Sequence, residues 1–235
     1  MRRSAMVVVL VAVLAGGVPN APAGSYNCFG EAPTIVGTPG DDTLIGTDGP
    51  DLICGGKGDD GEFSPSRGGI EAALWGGPGV DKISGGPGND EINGGEFSRL
   101  DSDSGSGDFL YGKGGDDHIC DNACFGNNDQ TTDSGDDQIF GGGGNDILGS
   151  TGGNDLQSGG RGNDRLGVQL WQCDETSCGQ EEVDTVDTGA DTYLGGAGDD
   201  AIMASDGAEG NDVVNGGDDI DNCTADAQDI IFNCE

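Results

Sequence analysis

The chain has 235 residues, of which 49 are glycine and 44 are Asp or Glu against nine Lys or Arg, for a formal charge of −35. So acidic a chain repels nucleic acid and anionic membranes and attracts cations, which removes DNA and RNA as partners. An apolar fraction of 33% with that charge reads by itself as disorder, and only a repeated local pattern argues otherwise.

Arg2 and Arg3 precede an apolar run of ten residues, 6–15, and Ala21-Pro22-Ala23 follows as a small-residue cleavage site. Residues 1–23 therefore read as a signal peptide cut after Ala23, which makes the protein secreted. The apolar run is too short to span a bilayer core of about 30 Å, and no second run offers a membrane span. Residues 24–36, with Tyr26, Phe29, Ile35 and Val36, read as an N-terminal cap over an open end.

From Gly37 the chain tiles in units of nine, G-G-x-G-x-D-x-U-x, where U is large and apolar. The pairs at the two key places are Asp42/Leu44, Asp51/Ile53 and Asp60, the last with Glu62 where an apolar residue belongs. An interruption near 64–75 follows, then Asp81/Ile83 and Asp90/Ile92, and a second interruption at 96–106. Asp108/Leu110 and Asp117/Ile119 precede a third, 121–134. Asp137/Ile139, Asp146/Leu148, Asp155/Gln157 and Asp164/Leu166 come next, with Gln157 a departure, and then a fourth interruption at 168–182. Asp184/Val186 and Asp191/Tyr193 are weaker, Asp200/Ile202 and Asp212/Val214 clearer, and 216–220 reads as truncated. Residues 221–235, with Ile230, Ile231 and Phe232, read as a C-terminal cap.

Each part of the unit has a physical task. Glycines allow tight turns with positive φ and close backbone approach. The Asp supplies a hard oxygen, and U, two places on, faces one side of a short strand. Tiled at this period the motif resembles the RTX, or haemolysin-type, calcium-binding repeat. The resemblance covers about 37–220. It implies an all-β, right-handed parallel β-roll, a solenoid in which two units make one coil and Ca2+ sits between stacked turns. The ligands it implies are Asp42, Asp51, Asp60, Asp81, Asp90, Asp108, Asp117, Asp137, Asp146, Asp155, Asp164, Asp184, Asp191, Asp200 and Asp212. Calcium takes six to eight oxygens and suits such a cage better than magnesium, so folding is expected to be coupled to binding many calcium ions.

All eight cysteines lie beyond the leader, and an even number in an exported chain reads as disulfides. Proximity favours Cys28–Cys54, Cys120–Cys124, Cys173–Cys178 and Cys223–Cys234. A zinc site with His118 beside Cys120 and Cys124 fits no zinc spacing well.

Units, caps and interruptions use up the chain, which leaves no catalytic domain, and the protein is expected not to be an enzyme. His118, the one histidine, lies between Asp117 and Ile119 and reads as an outward strand residue. A calcium-dependent lyase or epimerase acting on acidic polysaccharide is the alternative, but the basic residues are scattered. The interruptions offer an adhesive role, with Trp75, Trp171 and Phe125 as candidates to meet an extracellular glycan or cell-surface protein. Packing of these rings over the roll is the competing reading.

Overall fold

A computed structural model describes residues 28–64, 69–72, 74–95, 106–121, 135–167, 189–205 and 211–235. They form two parallel sheets facing each other. The first sheet runs in the order β1 (Ile35–Val36), β3 (Leu52–Cys54), β7 (Lys82–Pro87), β9 (Phe109–Gly114), β11 (Gln138–Gly143), β13 (Leu156–Arg161), β15 (Thr192–Ala197), β17 (Val213–Asp218) and β19 (Ile230–Phe232). The second sheet runs in the order β2 (Leu44–Ile45), β6 (Leu74–Trp75), β8 (Glu91–Asn93), β10 (His118–Cys120), β12 (Ile147–Gly149), β14 (Arg165–Leu166), β16 (Ala201–Ala204) and β18 (Asn222–Ala225). Successive strands alternate between sheets, so the chain winds as a parallel β-roll with one strand of each sheet per coil.

The core follows from the period. In a strand, alternate residues face opposite sides, and the eighth place of each unit is the one turned inward. Ile53, Leu74, Ile83, Ile92, Leu110, Ile119, Ile139, Leu148, Leu166, Ile202 and Val214 are all fully buried there. Parallel register stacks like on like, as in Ile53↔Ile83, Ile83↔Leu110 and Leu110↔Ile139.

Three departures correct the sequence reading. The place assigned to Glu62 is filled by Leu74, which pairs with Leu44 and Ile92. Between Asp60 and Leu74 the chain loops out as an antiparallel hairpin, β4 (Gly61–Ser64) with β5 (Gly69–Ala72), before rejoining the second sheet. Gln157 is wholly buried yet satisfied: its Nε2 donates to Ser150 Oγ at 2.7 Å, and its Oε1 accepts the Gly167 N–H at 2.9 Å. The unit read as truncated at 216–220 continues, with Asp221 at the ligand place and Cys223 turned towards the core.

At the N-terminal end Ile35 packs against the core. Phe29 instead lies on the outer face of the first sheet, 5.5 Å from Phe109, whose ring is 5.2 Å from Phe140. The Cys28–Cys54 disulfide ties this segment down, and Cys223–Cys234 joins β18 to the chain end. Cys120 is also disulfide-bonded, but its expected partner Cys124 lies outside the described residues. So do residues 1–23, expected to be a leader, and Tyr26, Phe125, Trp171, Cys173, Cys178 and Asp184. Among the described residues no helix is long and apolar enough to cross a membrane.

Candidate metal centre

The two lines of turns differ. Turns leading from the first sheet to the second occupy 37–42, 55–60, 85–90, 112–117, 141–146, 159–164, 195–200 and 216–221, and among the described residues this edge is interrupted once, by the β4–β5 hairpin that follows Asp60. Turns leading back lie on the opposite edge, and there the other interruptions fall, between Gly94 and Gly107, Asp121 and Gly135, Gly167 and Gly189, and Ala204 and Asn211.

Along the edge that leads from the first sheet to the second, the sixth-place aspartates form one ladder. The backbone N–H of each donates to Oδ1 of the next: Asp42 to Asp60 at 3.0 Å, Asp60 to Asp90 at 2.9 Å, and Asp90 to Asp117 at 2.8 Å. The series goes on through Asp146, Asp164 and Asp200 to Asp221. A second ladder on the other edge links Asp51, Asp81, Asp108, Asp137, Asp155, Asp191, Asp212 and Asp229. Asp221 and Asp229 escaped the sequence reading because Cys223 stands in the apolar place of one unit and the turn glycines are missing before the other. The ladder runs directly from Asp155 to Asp191.

The fifth place carries a further pair of ladders that the sequence reading treated as variable. Its Asp and Asn side chains accept from the coil after them, opposite to the sixth place. Asn145 N–H donates to Asp116 Oδ1 at 2.8 Å, while Asn145 Oδ1 accepts the Asn163 N–H at 2.9 Å. Asp136 and Asn154 repeat this on the interrupted edge. The signal was there as an Asx residue recurring just before the ligand Asp.

One oxygen of each sixth-place carboxylate is thus committed to the ladder. The other, Oδ2, has no hydrogen-bond partner and is buried in Asp60, Asp90, Asp117, Asp146, Asp164, Asp200 and Asp221. It points beneath the first glycine of its own turn: a Cβ on Gly141 would lie 2.2 Å from Asp146 Oδ2. The turn is shaped around that oxygen, and Gly144, at φ 138°, completes it by passing too close to Gly115 O for any side chain. A buried carboxylate oxygen without a partner is costly, so the site calls for a proton or a cation. Burial pushes Asp60 and Asp117 up to about 8, Asp200 to about 7, and Asp90, Asp146 and Asp164 to about 6. Neighbouring carboxylates add to the rise, and the ladder N–H bonds oppose it. Columns of hard anionic oxygens beside turn carbonyls fit a hard dication such as Ca2+.

The first coil differs. Asp42 accepts from Thr38 through both N–H and Oγ1, and Asp51 accepts from Thr34 Oγ1 and from Thr47 N–H and Oγ1. Threonine in the second place satisfies what is left bare further on, so these two expected ligands already have protein partners.

His118 lies on the outward side of β10, with Nδ1 3.9 Å from Glu91 Oε1. Burial raises the Glu91 carboxyl to about 8 and lowers His118. Trp75, a candidate for ligand contact, is buried on β6, which settles it as a packing residue.

No curated protein and no solved structure matches the chain. A family model does match, the RTX calcium-binding nonapeptide repeat, in four copies over residues 34–61, 74–98 and 126–157. Together with the parallel roll and its aspartate ladders, that match shows that the chain carries RTX calcium-binding nonapeptide repeats.

Proposed function

We propose that the chain is an exported calcium-binding protein whose roll forms as Ca2+ fills the turns, and that its role outside the cell is structural or adhesive rather than catalytic. The observation that carries this is the set of buried, unpartnered Oδ2 atoms repeated from Asp60 to Asp221 along one edge. Without cations those carboxylates repel one another along the stack, and a ligand bound only by the folded state stabilises it by mass action. The ions would be held by the sixth-place aspartates of the turns, Asp60 onward on one edge and Asp81 onward on the other, with turn carbonyls as neutral oxygens. Two disulfides fit an oxidising compartment, in keeping with the leader read at 1–23. The interruptions, most of them on one edge, would give an adhesive role its place, towards a glycan or a cell-surface protein.

Circular dichroism of the chain from Gly24 to Glu235, titrated with calcium and with magnesium at fixed ionic strength, tests the reading. A cooperative gain of β-structure with calcium alone is expected. A roll already complete in chelator would overturn it.

The alternative, a calcium-dependent lyase or epimerase on acidic polysaccharide, draws on the Glu91–His118 pair. A protonated carboxyl beside a neutral imidazole is a usable acid and base near neutral pH. Turnover of an acidic polysaccharide that is lost in His118→Ala would favour it.

A further inference from the structure

We infer that Asp121 converts one turn of the interrupted edge into a three-carboxylate calcium site, formed with Asp137 and Asp155, that binds more tightly than the repeat turns. This rests on the calcium reading and deepens it by naming one site that the repeat motif does not encode.

Asp121 directly follows β10, where the repeat calls for the first glycine of a turn. The backbone bonds fix the register. Gly76 N–H donates to Asn93 O, Gly94 N–H to Cys120 O, and Asp121 N–H to Gly149 O, so Asp121 occupies the place held by Gly76 and Gly94 in neighbouring coils. Elsewhere a side chain at this place meets the ligand carboxylate: a Cβ on Gly76 would lie 2.4 Å from Asp81 Oδ2. Here the place carries a carboxylate of its own.

One ligand oxygen from each of Asp121, Asp137 and Asp155 lies within 4.8 Å of the others, and all three residues are buried. Among the described residues these are the three acidic groups so gathered. The ladder orders two of them, since Asp155 Oδ1 accepts the Asp137 N–H at 2.8 Å. Asp155 Oδ2 is buried without a hydrogen-bond partner, while Ser150 bonds to the same carboxylate through its side chain. Asp121 is held in turn by the Thr151 N–H, which donates to its Oδ2 at 2.8 Å. Each carboxylate thus has an oxygen anchored by backbone or a position fixed by it, and the site needs little reordering.

Charge count and rigidity set calcium affinity. A repeat turn adds one carboxylate per coil to its column, whereas this site brings a third carboxylate from the first place of a turn. Three negative groups this close, away from water, repel strongly when the site is bare and gain most from a dication. The ion would also clamp β10 to the turn before β11 across the interruption that follows Asp121.

Isothermal titration of the full-length chain with calcium, in wild type, Asp121→Gly and Asp121→Asn, tests this. Asp121→Gly restores the residue of the repeat, and Asp121→Asn keeps an oxygen to accept from Thr151 while removing the charge. Circular dichroism in saturating calcium confirms that both variants fold. The expected result is a strongest class of one ion per chain in wild type that weakens at least about tenfold in both variants. Weaker binding to the remaining turns should be unchanged. Calcium binding in which the strongest class survives both substitutions overturns this site alone. A wild-type chain that binds no calcium overturns the calcium reading together with it.

Discussion

The backbone N–H of Asp117 donates to Oδ1 of Asp146 at 2.9 Å, while Oδ2 of Asp146 is buried with no protein partner. One carboxylate thus has two tasks: an oxygen that joins neighbouring coils and an oxygen for a cation.

Asp146→Asn separates them. The amide oxygen can still accept from Asp117, but the negative charge is gone. Calcium stoichiometry should fall and stability in saturating calcium should drop by about 1.5–3 kcal/mol, as for a lost charged contact. Asp51→Asn, whose native carboxylate is already engaged by Thr34 and Thr47, should leave stoichiometry unchanged. Equal losses in the two variants, read by calorimetry, would remove the distinction drawn for the first coil.

The metal-free chain should respond to acid in the opposite sense to most proteins. Burial raises the carboxyls of Asp60, Asp90, Asp117 and Asp146 to about 6 to 8 in the fold, above their ordinary value of 3.8. Between those limits the folded chain holds more protons than the unfolded one. Stability without metal is therefore greatest at the acid end and is lost as pH rises through about 6 to 8. Circular dichroism in chelator should show more β-structure at pH 5 than at pH 8. Calcium affinity should fall over the same descent, because protons compete for the same oxygens.

Gly141→Ala places a methyl group 2.2 Å from Asp146 Oδ2. The turn must open or the carboxylate must leave, at about 1–3 kcal/mol for an overpacked site. Loss of one calcium site with a lowered melting temperature is expected. A variant indistinguishable from wild type in both would show that the turn is not closed around that oxygen.

The C-terminal disulfide spans a sequence separation of 11 between Cys223 and Cys234. Cys234→Ser, paired with Cys223→Ser, should cost roughly 2–4 kcal/mol. The loss should be local, because a solenoid is held by contacts between neighbouring coils. Hydrogen exchange should quicken in β18 and β19 and stay unchanged in β11 to β13.

The roll was legible in the sequence because Asp and an apolar residue recur at a fixed offset, and Ile83, Leu110 and Ile139 stack as that offset requires. What was hidden broke the count. Leu74 could not be matched to Asp60 because a hairpin separates them, and Asp121 stands where a glycine was expected. Gln157 looked like damage, since its partners Ser150 and Gly167 directly follow β12 and β14 of the facing sheet, not its own strand. Which edge each Asp would join could not be read either, because edge assignment depends on coil order, which the interruptions obscure.

Four interruptions on one edge, against the single hairpin after Asp60 on the other, give the molecule the build of a comb. Strand spacing in a sheet is about 4.8 Å, so segments that depart from successive turns of that edge are rooted at multiples of this pitch. The segment between Gly94 and Gly107 and the one between Asp121 and Gly135 are rooted one pitch apart, and that between Gly167 and Gly189 two pitches further on. The opposite edge, which among the described residues is broken by the hairpin after Asp60 and then continues from Gly85 to Asp221, keeps that spacing whatever the length of the teeth. New peptides could therefore be grafted between Ala204 and Asn211 at a known interval from their neighbours, with the spine left intact.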